Sequence, residues 1–348
     1  MKATGARSRV TARDVATLVP CSVATVSLVV NGKSAGRVNA EIEKRVWQAV
    51  RQLDYRVNSA ASALARGTPN TVALVFPDPT NPFFSLVLDG VISALGDELT
   101  LTVVAPSGGD DYRPRTVQRA MAGDLAGLIL ASPGPTLLDN LTPTCPIIVL
   151  DAAEQYSELA TINPDIATAA RDLAEHLVGL GHRCLAYVGL QRDKETLLYR
   201  RDALHTQLTQ RGAHLAVPDV LVERISIGDA HQAFLARWPD LDRAGVTAVI
   251  CGDDLLAYGT MTAANACGVD VPGRLSIAGF NNLPYSAMVA PSLTTIDLSA
   301  RELGIRAVAL LRSQLDGRLG PASEMLPSRL VVRRSTGLRS WGRGRSSS

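Results

Sequence analysis

Several polar residues of this sequence stand directly after apolar runs. Asp78 and Asn81 follow "TVALVF", Asp151 ends "PIIVLD", Asp253 follows "AVICG", and Asn281 follows "LSIAGF". Arg200 opens a helix after the loop "QRDKETLLY". Carboxylates and amides take paired hydroxyls, and a guanidinium donates to several oxygens at once. The faces of Phe83 and Phe84 can cover the C–H side of a sugar ring, so the set suits a polyol. Each member also has a structural alternative, since an aspartate after a strand is as often a turn residue and a phenylalanine pair as often core. A second set lies in "CSVATVSLVVNG", residues 21–32, where Ser22, Thr25 and Ser27 are interleaved with valines. In a helix, Thr25 and Ser27 can meet phosphates, and short side chains allow close approach to a groove of DNA.

The elements that position these residues differ between the two ends of the chain. Thr11 and Asp14 have the spacing of a capping box, which predicts a helix carrying Val15, Ala16, Leu18 and Val19 on one stripe and ending at Pro20. Ser22 is a good N-cap for a second helix, with Val23, Val26 and Val30, or Leu28 and Val29 beside them, facing inward. A strand ending in an Asn31-Gly32 hairpin turn is the alternative, but neither alternate set of residues makes a clean polar face. Residues 39–53 form a third helix, with Ile42, Val46, Ala49, Val50 and Leu53 at core spacing. From Asn70 the pattern becomes "TVALVF", "LTVVAP", "GLILAS", "PIIVLD", "CLAYVGL", "AVICG" and "LSIAGF", alternating with helical stretches. That rhythm predicts parallel sheets covered by helices on both faces, with length enough for two α/β units. Strand ends in such sheets border the ligand crevice, which places the first set of residues there.

Charge separates the same two regions. The 348-residue chain is +2 overall, yet residues 1–68 hold 11 Lys+Arg against 4 Asp+Glu, leaving a net −5 for residues 69–348. A small basic segment of three short helices is the footprint of a helix-turn-helix unit, whose second helix enters the major groove. Other chemistries lack their motifs: there is no G-x-G-x-x-G, P-loop, G-x-S-x-G or H-E-x-x-H. The five cysteines are scattered and never spaced C-x-x-C, so they read as core thiols rather than a zinc or disulfide framework. His176 and His182, in "HLVGLGHRCLAYVG", read as structural groups at a helix end. The expected reading is no enzyme, no cofactor and no metal. The first twenty residues lack the apolar stretch of a secretory signal, which makes a cytoplasmic location without membrane attachment the expectation.

"VTARDVATLVPCSVATVSLVVNG" followed by "LDYRVNSAASALARG" resembles the N-terminal headpiece of the lactose-repressor and galactose-repressor family of bacterial transcription regulators. "PDPTNPFFSLVLDGV", "VTAVICGDDLLAYGTMTA" and "VPGRLSIAGFNNLPYSAMVAPSLTTI" resemble its core, which is similar to periplasmic sugar-binding proteins. The resemblance spans residues 10 to 334. It implies a headpiece at residues 1–57, a hinge helix and linker at 58–69, and an effector-binding and dimerisation core at 70–334. In that core the chain would cross between two subdomains near 164 and 292. The ending "STGLRSWGRGRSSS", residues 335–348, is basic and polar with no heptads and is expected to be disordered. It implies DNA contacts from Thr11, Ser22, Val23, Ala24, Thr25, Ser27 and Asn31, with Val23 and Ala24 choosing the operator. Asn58, Ala61 and Leu64 would act in the hinge, Leu64 as a minor-groove wedge. Asp78, Asn81, Phe83, Phe84, Asp151, Arg200, Asp253 and Asn281 would face the effector.

Three departures from the family pattern bear on function. Pro20 stands where the turn commonly has glycine, so the turn is expected to differ in detail. Leu28 stands where a member carries a guanine-reading arginine. Asp253 and Asn281 exchange the usual amide and carboxylate, which points to a neutral sugar or related polyol with its own hydroxyl pattern. The implied protein is a ligand-responsive regulator, most simply a repressor, that binds a palindromic operator as a homodimer. The alternative is a sugar-binding protein of the periplasmic type, to which the basic headpiece would be useless.

Overall fold

The computed structural model describes residues 10–30, 32, 34–55, 69–104, 117–118, 121, 123–134, 144–152, 158–191, 195–216, 218–318, 320 and 322–339. They fall into two compact units, residues 1–69 and 70–348. The expected hinge helix, with Asn58, Ala61 and Leu64, lies outside the described residues, as does Asn31.

The first unit contains α1 (Ala12–Leu18), α2 (Val23–Val30) and α3 (Ala40–Gln52). Their amphipathic faces bury one small cluster of Val15, Ala16, Val19, Val26, Val29, Val46 and Ala49. Leu18, expected on the inward stripe of α1, is instead 45% exposed, because the buried face is set by Val15, Ala16 and Val19 and Leu18 lies about 100° of rotation away from Val19. Asn39 caps α3, its side chain accepting from the Glu41 amide at 2.8 Å, and Arg51 sits in the last turn, where a cation opposes the helix dipole. The axes of α1 and α2 differ by 106°, the geometry of a helix-turn-helix.

The second unit has two sheets. The first contains β1 (Thr71–Val75), β2 (Thr100–Val104), β3 (Leu125–Ala131), β4 (Ile147–Leu150) and β5 (Ala160–Pro164). A late strand, β12 (Ser323–Leu326), joins its edge, giving the order β12-β5-β4-β3-β1-β2 with every pair parallel. The second sheet contains β6 (Cys184–Leu190), β7 (His214–Leu215), β8 (Val220–Val222), β9 (Ala248–Cys251), β10 (Ser276–Phe280), β11 (Thr294–Asp297) and β13 (Arg329–Val331). Its order is β13-β11-β10-β9-β6-β7, with β8 also on β6 and β13 antiparallel. The central strands are buried along their whole length, which explains their continuous apolar runs.

Helices cover the sheets: α4 (Pro82–Leu95) and α9 (Ala300–Leu315) on the first, and α5 (Ile166–Gly179), α6 (Glu195–Gln210), α7 (Ile227–Arg243) and α8 (Asp254–Ala266) on the second. α4 and α9 cross so closely that a Cβ at Gly90 would collide with the Arg301 carbonyl, and one at Gly304 with the Val87 carbonyl. Two glycines are therefore required at that crossing.

The chain passes between the sheets three times: after Pro164, after Leu298, and between β12 and β13 at 327–328. The second passage was expected near 292. It comes later because Thr294–Asp297 still pairs with β10 as β11. The ordered chain also runs further than the expected boundary at 335. Ser335 is fully buried, donates to the Ile277 carbonyl at 2.5 Å and accepts from the Thr294 amide at 2.8 Å. His176 meets Thr336 at 2.9 Å, while His182 bridges Thr247 at 2.9 Å and the Gly337 carbonyl at 3.1 Å. Both histidines are structural, fastening the end of the chain to the second sheet.

Candidate DNA-reading face and effector site

Helix α2 begins as its sequence predicts. Ser22 Oγ accepts from the Thr25 amide at 3.0 Å and shares a hydrogen bond with Thr25 Oγ1 at 2.8 Å. The first turn is thereby held by hydroxyls that would otherwise be free for phosphates. Val26 and Val29 take the inward face, while Val23, Ala24 and Ser27 are exposed together. Val23 was expected to share the inward face. At 45% exposure it is available to a base edge instead, because the α2 stripe starts one turn later. Thr11 differs in detail too: its amide and hydroxyl both donate to Asp14, at 2.7 and 2.8 Å. These bonds hold the Asp14 carboxyl below its usual range.

The turn between α1 and α2 closes with proline in the place where glycine is common. The Cys21 amide donates to the Ala16 carbonyl at 3.1 Å, the outer bond of a Schellman ending. The inner bond needs an N–H that proline lacks, so the turn is one bond short.

In the second unit, five of the sequence-predicted residues converge from distant chain positions. Asn81, after β1, donates through Nδ2 to Asp253 Oδ2 at 2.8 Å, and Asn281 Nδ2 donates to the same oxygen at 2.8 Å. Arg200, on α6, donates through Nη1 to the Gly252 carbonyl at 2.9 Å and to Asn281 Oδ1 at 3.3 Å. Its Nη2 lies 3.5 Å from Asp151 Oδ2. All five are buried. Two of the links join the sheets: Asn81 to Asp253, and Asp151 to Arg200.

Local structure aims each group. Asn81 and Asp253 are N-caps of α4 and α8, accepting from Phe83 N at 3.0 Å and Leu255 N at 2.8 Å. Asp151 at φ 47 and Asn281 at φ 108 are non-glycine residues in left-handed conformations at strand ends, strain typical of ligand sites. Burial pushes the Asp253 carboxyl up, opposed by the Leu255 amide, Asn81, Arg200 and Asn281. Arg200 Nε is buried and has no hydrogen-bond partner among the described residues, leaving a donor ready for an incoming oxygen.

Three predicted residues are not joined to this network. Asp78 accepts from the Thr80 amide and hydroxyl at 2.8 and 2.6 Å, a turn role. Phe84 stacks on Phe76 at 5.5 Å, with Phe83 edge-on at 5.3 Å, inside the core of the first sheet.

Sequence reasoning missed three others. Ser132, φ 49, donates to Asp151 Oδ2 at 2.8 Å, and its signal was available, since it follows the run "GLILA" as the other site residues follow theirs. Phe280 lies beneath the Arg200 guanidinium at 5.5 Å. Asp254 is fully buried and accepts from the Leu283 amide at 2.8 Å, Ser286 Oγ at 2.6 Å and Thr295 Oγ1 at 2.6 Å. Burial pushes its carboxyl up to about 7, against those three hydrogen bonds. Among the described residues no group of three or more His, Cys, Asp or Glu is placed to hold a metal, and no single helix is long and apolar enough to cross a membrane.

Comparisons with known proteins match both units. Residues 11–58 match the model for bacterial regulatory proteins of the lacI family, and residues 174–336 match the periplasmic binding protein-like domain. The HTH-type transcriptional repressor CytR of Escherichia coli (strain K12) is 26% identical over 341 residues, covering 97% of this chain and 99% of that protein. Catabolite control protein A of Staphylococcus aureus (strain Mu50) is 26% identical over 334 residues, covering 94% and 99%. Among solved structures, the lac repressor dimer bound to operator and the anti-inducer ONPF aligns with a TM-score of 0.77 and 25% identity, covering 94% of this chain and 99% of that one. The chain thus carries a lacI-type helix-turn-helix domain and a periplasmic binding protein-like domain, and it is similar along nearly its whole length to repressors of the lacI family.

Proposed function

We propose that this DNA-binding transcription regulator is a dimeric repressor of a palindromic operator, controlled by a small uncharged sugar or related polyol that binds between the two sheets of its core. The observation that carries the reading is the buried network of Asn81, Asp151, Arg200, Asp253 and Asn281, which links one sheet to the other. Its donors and acceptors are those a set of hydroxyls would satisfy, and the unpartnered Arg200 Nε supplies a further donor to a hydroxyl or ring oxygen. Asp151 and Asp253 already balance the guanidinium charge, which disfavours an anionic ligand.

A ligand that replaces the Asn81–Asp253 and Asp151–Arg200 links changes how the sheets are tied together, and so the population of the DNA-competent dimer. Coupling of about 1–3 kcal/mol changes operator affinity roughly 5–150-fold. The solved lac repressor relative, with operator and anti-inducer on one dimer, is consistent with both sites acting in one assembly. The groups present are arranged for binding, with no nucleophile and general base paired among them, and the protein acts in the cytoplasm, where its DNA is.

The test has two parts on the full-length protein. Selection of bound sites from random duplexes at two salt concentrations should enrich a palindrome whose retention falls steeply with salt. Calorimetry with pentoses, hexoses and disaccharides, and with a purine base as the contrasting probe, should show carbohydrate binding. Binding of the purine and of no carbohydrate would refute the effector class and leave DNA binding intact.

A further inference from the structure

The end of β10 carries two asparagines in succession whose side chains belong to different networks. Asn281, at φ 108, joins the effector site through Asp253 and Arg200. Asn282, at φ 50, donates through Nδ2 to Asp297 Oδ2 at 3.3 Å and accepts from Arg333 Nη2 at 2.6 Å. Asp297 is the last residue of β11, immediately before the second passage between the sheets. It also accepts from Arg329 Nε and Nη2 at 3.3 and 3.1 Å, on the strand that follows the third passage, and from the Ser299 amide at 2.9 Å. Ser299, itself at φ 54, reaches the Pro327 carbonyl through its hydroxyl at 3.3 Å, and the Asp165 amide of the first passage donates to the Leu326 carbonyl at 2.8 Å. All three passages are thus linked through hydrogen bonds that meet around Asp297 and residues 326–327.

We infer that Asn282 is a positioning residue that couples the effector network to these passages, an inference that rests on reading the buried network as the effector site. The backbone makes independent movement of the two asparagines difficult. The Asn281 amide is held by the Ile296 carbonyl at 2.8 Å and the Asn282 amide by Thr295 Oγ1 at 3.3 Å, while the two residues share one peptide plane. Neither residue is a glycine, so both left-handed conformations persist only while the surrounding bonds hold them. A ligand that draws Asn281 away from Asp253 turns that shared plane, and the side-chain Nδ2 of Asn282 then leaves Asp297. The clamp on the second and third passages opens at the point where the sheets are joined. Substituting Asn282 alone leaves every hydrogen bond of the Asn81–Asp253–Asn281–Arg200 network available.

Hydrogen exchange in the full-length protein tests the coupling without a ligand. Exchange of the segment 298–304 is followed by mass spectrometry in the unsubstituted chain, in Asp253→Asn, in Asn282→Ala, and in the double variant. Asp253→Asn should accelerate exchange at this segment by about tenfold, a coupling of the size found within one hydrogen-bonded network. In the Asn282→Ala background the same substitution should add nothing. Multiplying effects in the double variant would overturn the inference, since a merely structural asparagine contributes independently. Asn282→Asp provides a second background if Asn282→Ala does not fold, because it keeps the acceptor for Arg333 and loses the donor to Asp297. Carbohydrate calorimetry on the unsubstituted chain separates the failures: no binding sinks the effector reading, whereas binding with multiplying effects sinks only the role of Asn282.

Discussion

The proposed DNA-reading helix and the buried polar network solve opposite physical problems. The reading face of α2 is made by neighbours in sequence: Ser22 caps, Thr25 closes the cap, and Val23, Ala24 and Ser27 project to solvent. Its information lies in side chains that do little for stability. The network is made by buried residues whose direct hydrogen bonds join positions as much as 172 apart. There, specificity and stability reside in the same atoms, because a buried polar group without its partner is costly. On the proposed assignment of the two sites, a regulator built this way can change its operator cheaply, whereas a change of effector puts the fold at risk.

Adjacent carboxylates show the same contrast within the core. Asp253 faces the network between the sheets, while Asp254 turns into the second lobe and pins the segment after β10 through Leu283 and Ser286. One belongs to the proposed effector site, and the other fixes the loop that follows Asn281.

Removal of the Arg200 guanidinium should strain this comparison most. Arg200→Ala leaves Asp151 and Asp253 buried without their cation, and urea denaturation is expected to show a loss of about 3–5 kcal/mol in the core. Operator binding by the surviving folded protein should no longer respond to carbohydrate. A stable variant that still responds would show that the network is not the effector site.

Asp254→Ala is the next largest change. It orphans three buried donors and should cost about 3 kcal/mol, while any carbohydrate bound by the folded fraction is still bound. Its pH dependence has an unusual sign. The folded carboxyl titrates near 7, above its unfolded value of 3.8, so its contribution to stability is full below about pH 4 and is lost as pH rises through 7. Asp254→Asn should remove that decline, which denaturation at pH 4, 5.5 and 7 would reveal. His182 acts in the other direction: burial lowers its pKa, so its contribution is present above about 6.5 and is lost as pH falls below that value.

On the reading helix the effects should be functional and smaller. Exchanging Val23 or Ala24 for another small or polar residue is expected to change the selected half-site by about 1–3 kcal/mol of base discrimination, with thermal stability changed by about 0.5 kcal/mol or less. A large drop in melting temperature would contradict the separation of reading from stability. The smallest effect should come from Pro20→Gly. It restores the missing turn N–H, and calorimetric melting should show the headpiece stabilised by about 1 kcal/mol.

Much of this was legible in the sequence because it is local or periodic. The Ser22 cap, the α3 stripe and the apolar runs of the central strands each depend on residues within a few positions, and the structure places them accordingly. Four of the five residues of the network, Asn81, Asp151, Asp253 and Asn281, could be singled out because they follow strands at the sheet edge where crevices form, whereas Arg200 comes from α6. The same rule passed over Ser132 and admitted Asp78, since the position after a strand does not say whether a side chain turns into the crevice or back to its own loop. Phe83 and Phe84 illustrate a related ambiguity, for an aromatic pair at a helix start serves core or ligand equally well until its neighbours are known.

The sequence by itself determined the two-part plan: a basic three-helix headpiece and an alternating α/β core, each fixed by periodicity, capping and charge within short windows. Only the tertiary structure decided which of two adjacent aspartates meets the network, that two consecutive asparagines serve two networks, and that the chain crosses three times between the sheets. Those outcomes depend on which distant strands become neighbours and on the backbone torsions at their ends. No short window of residues encodes a partner that arrives from 172 positions away.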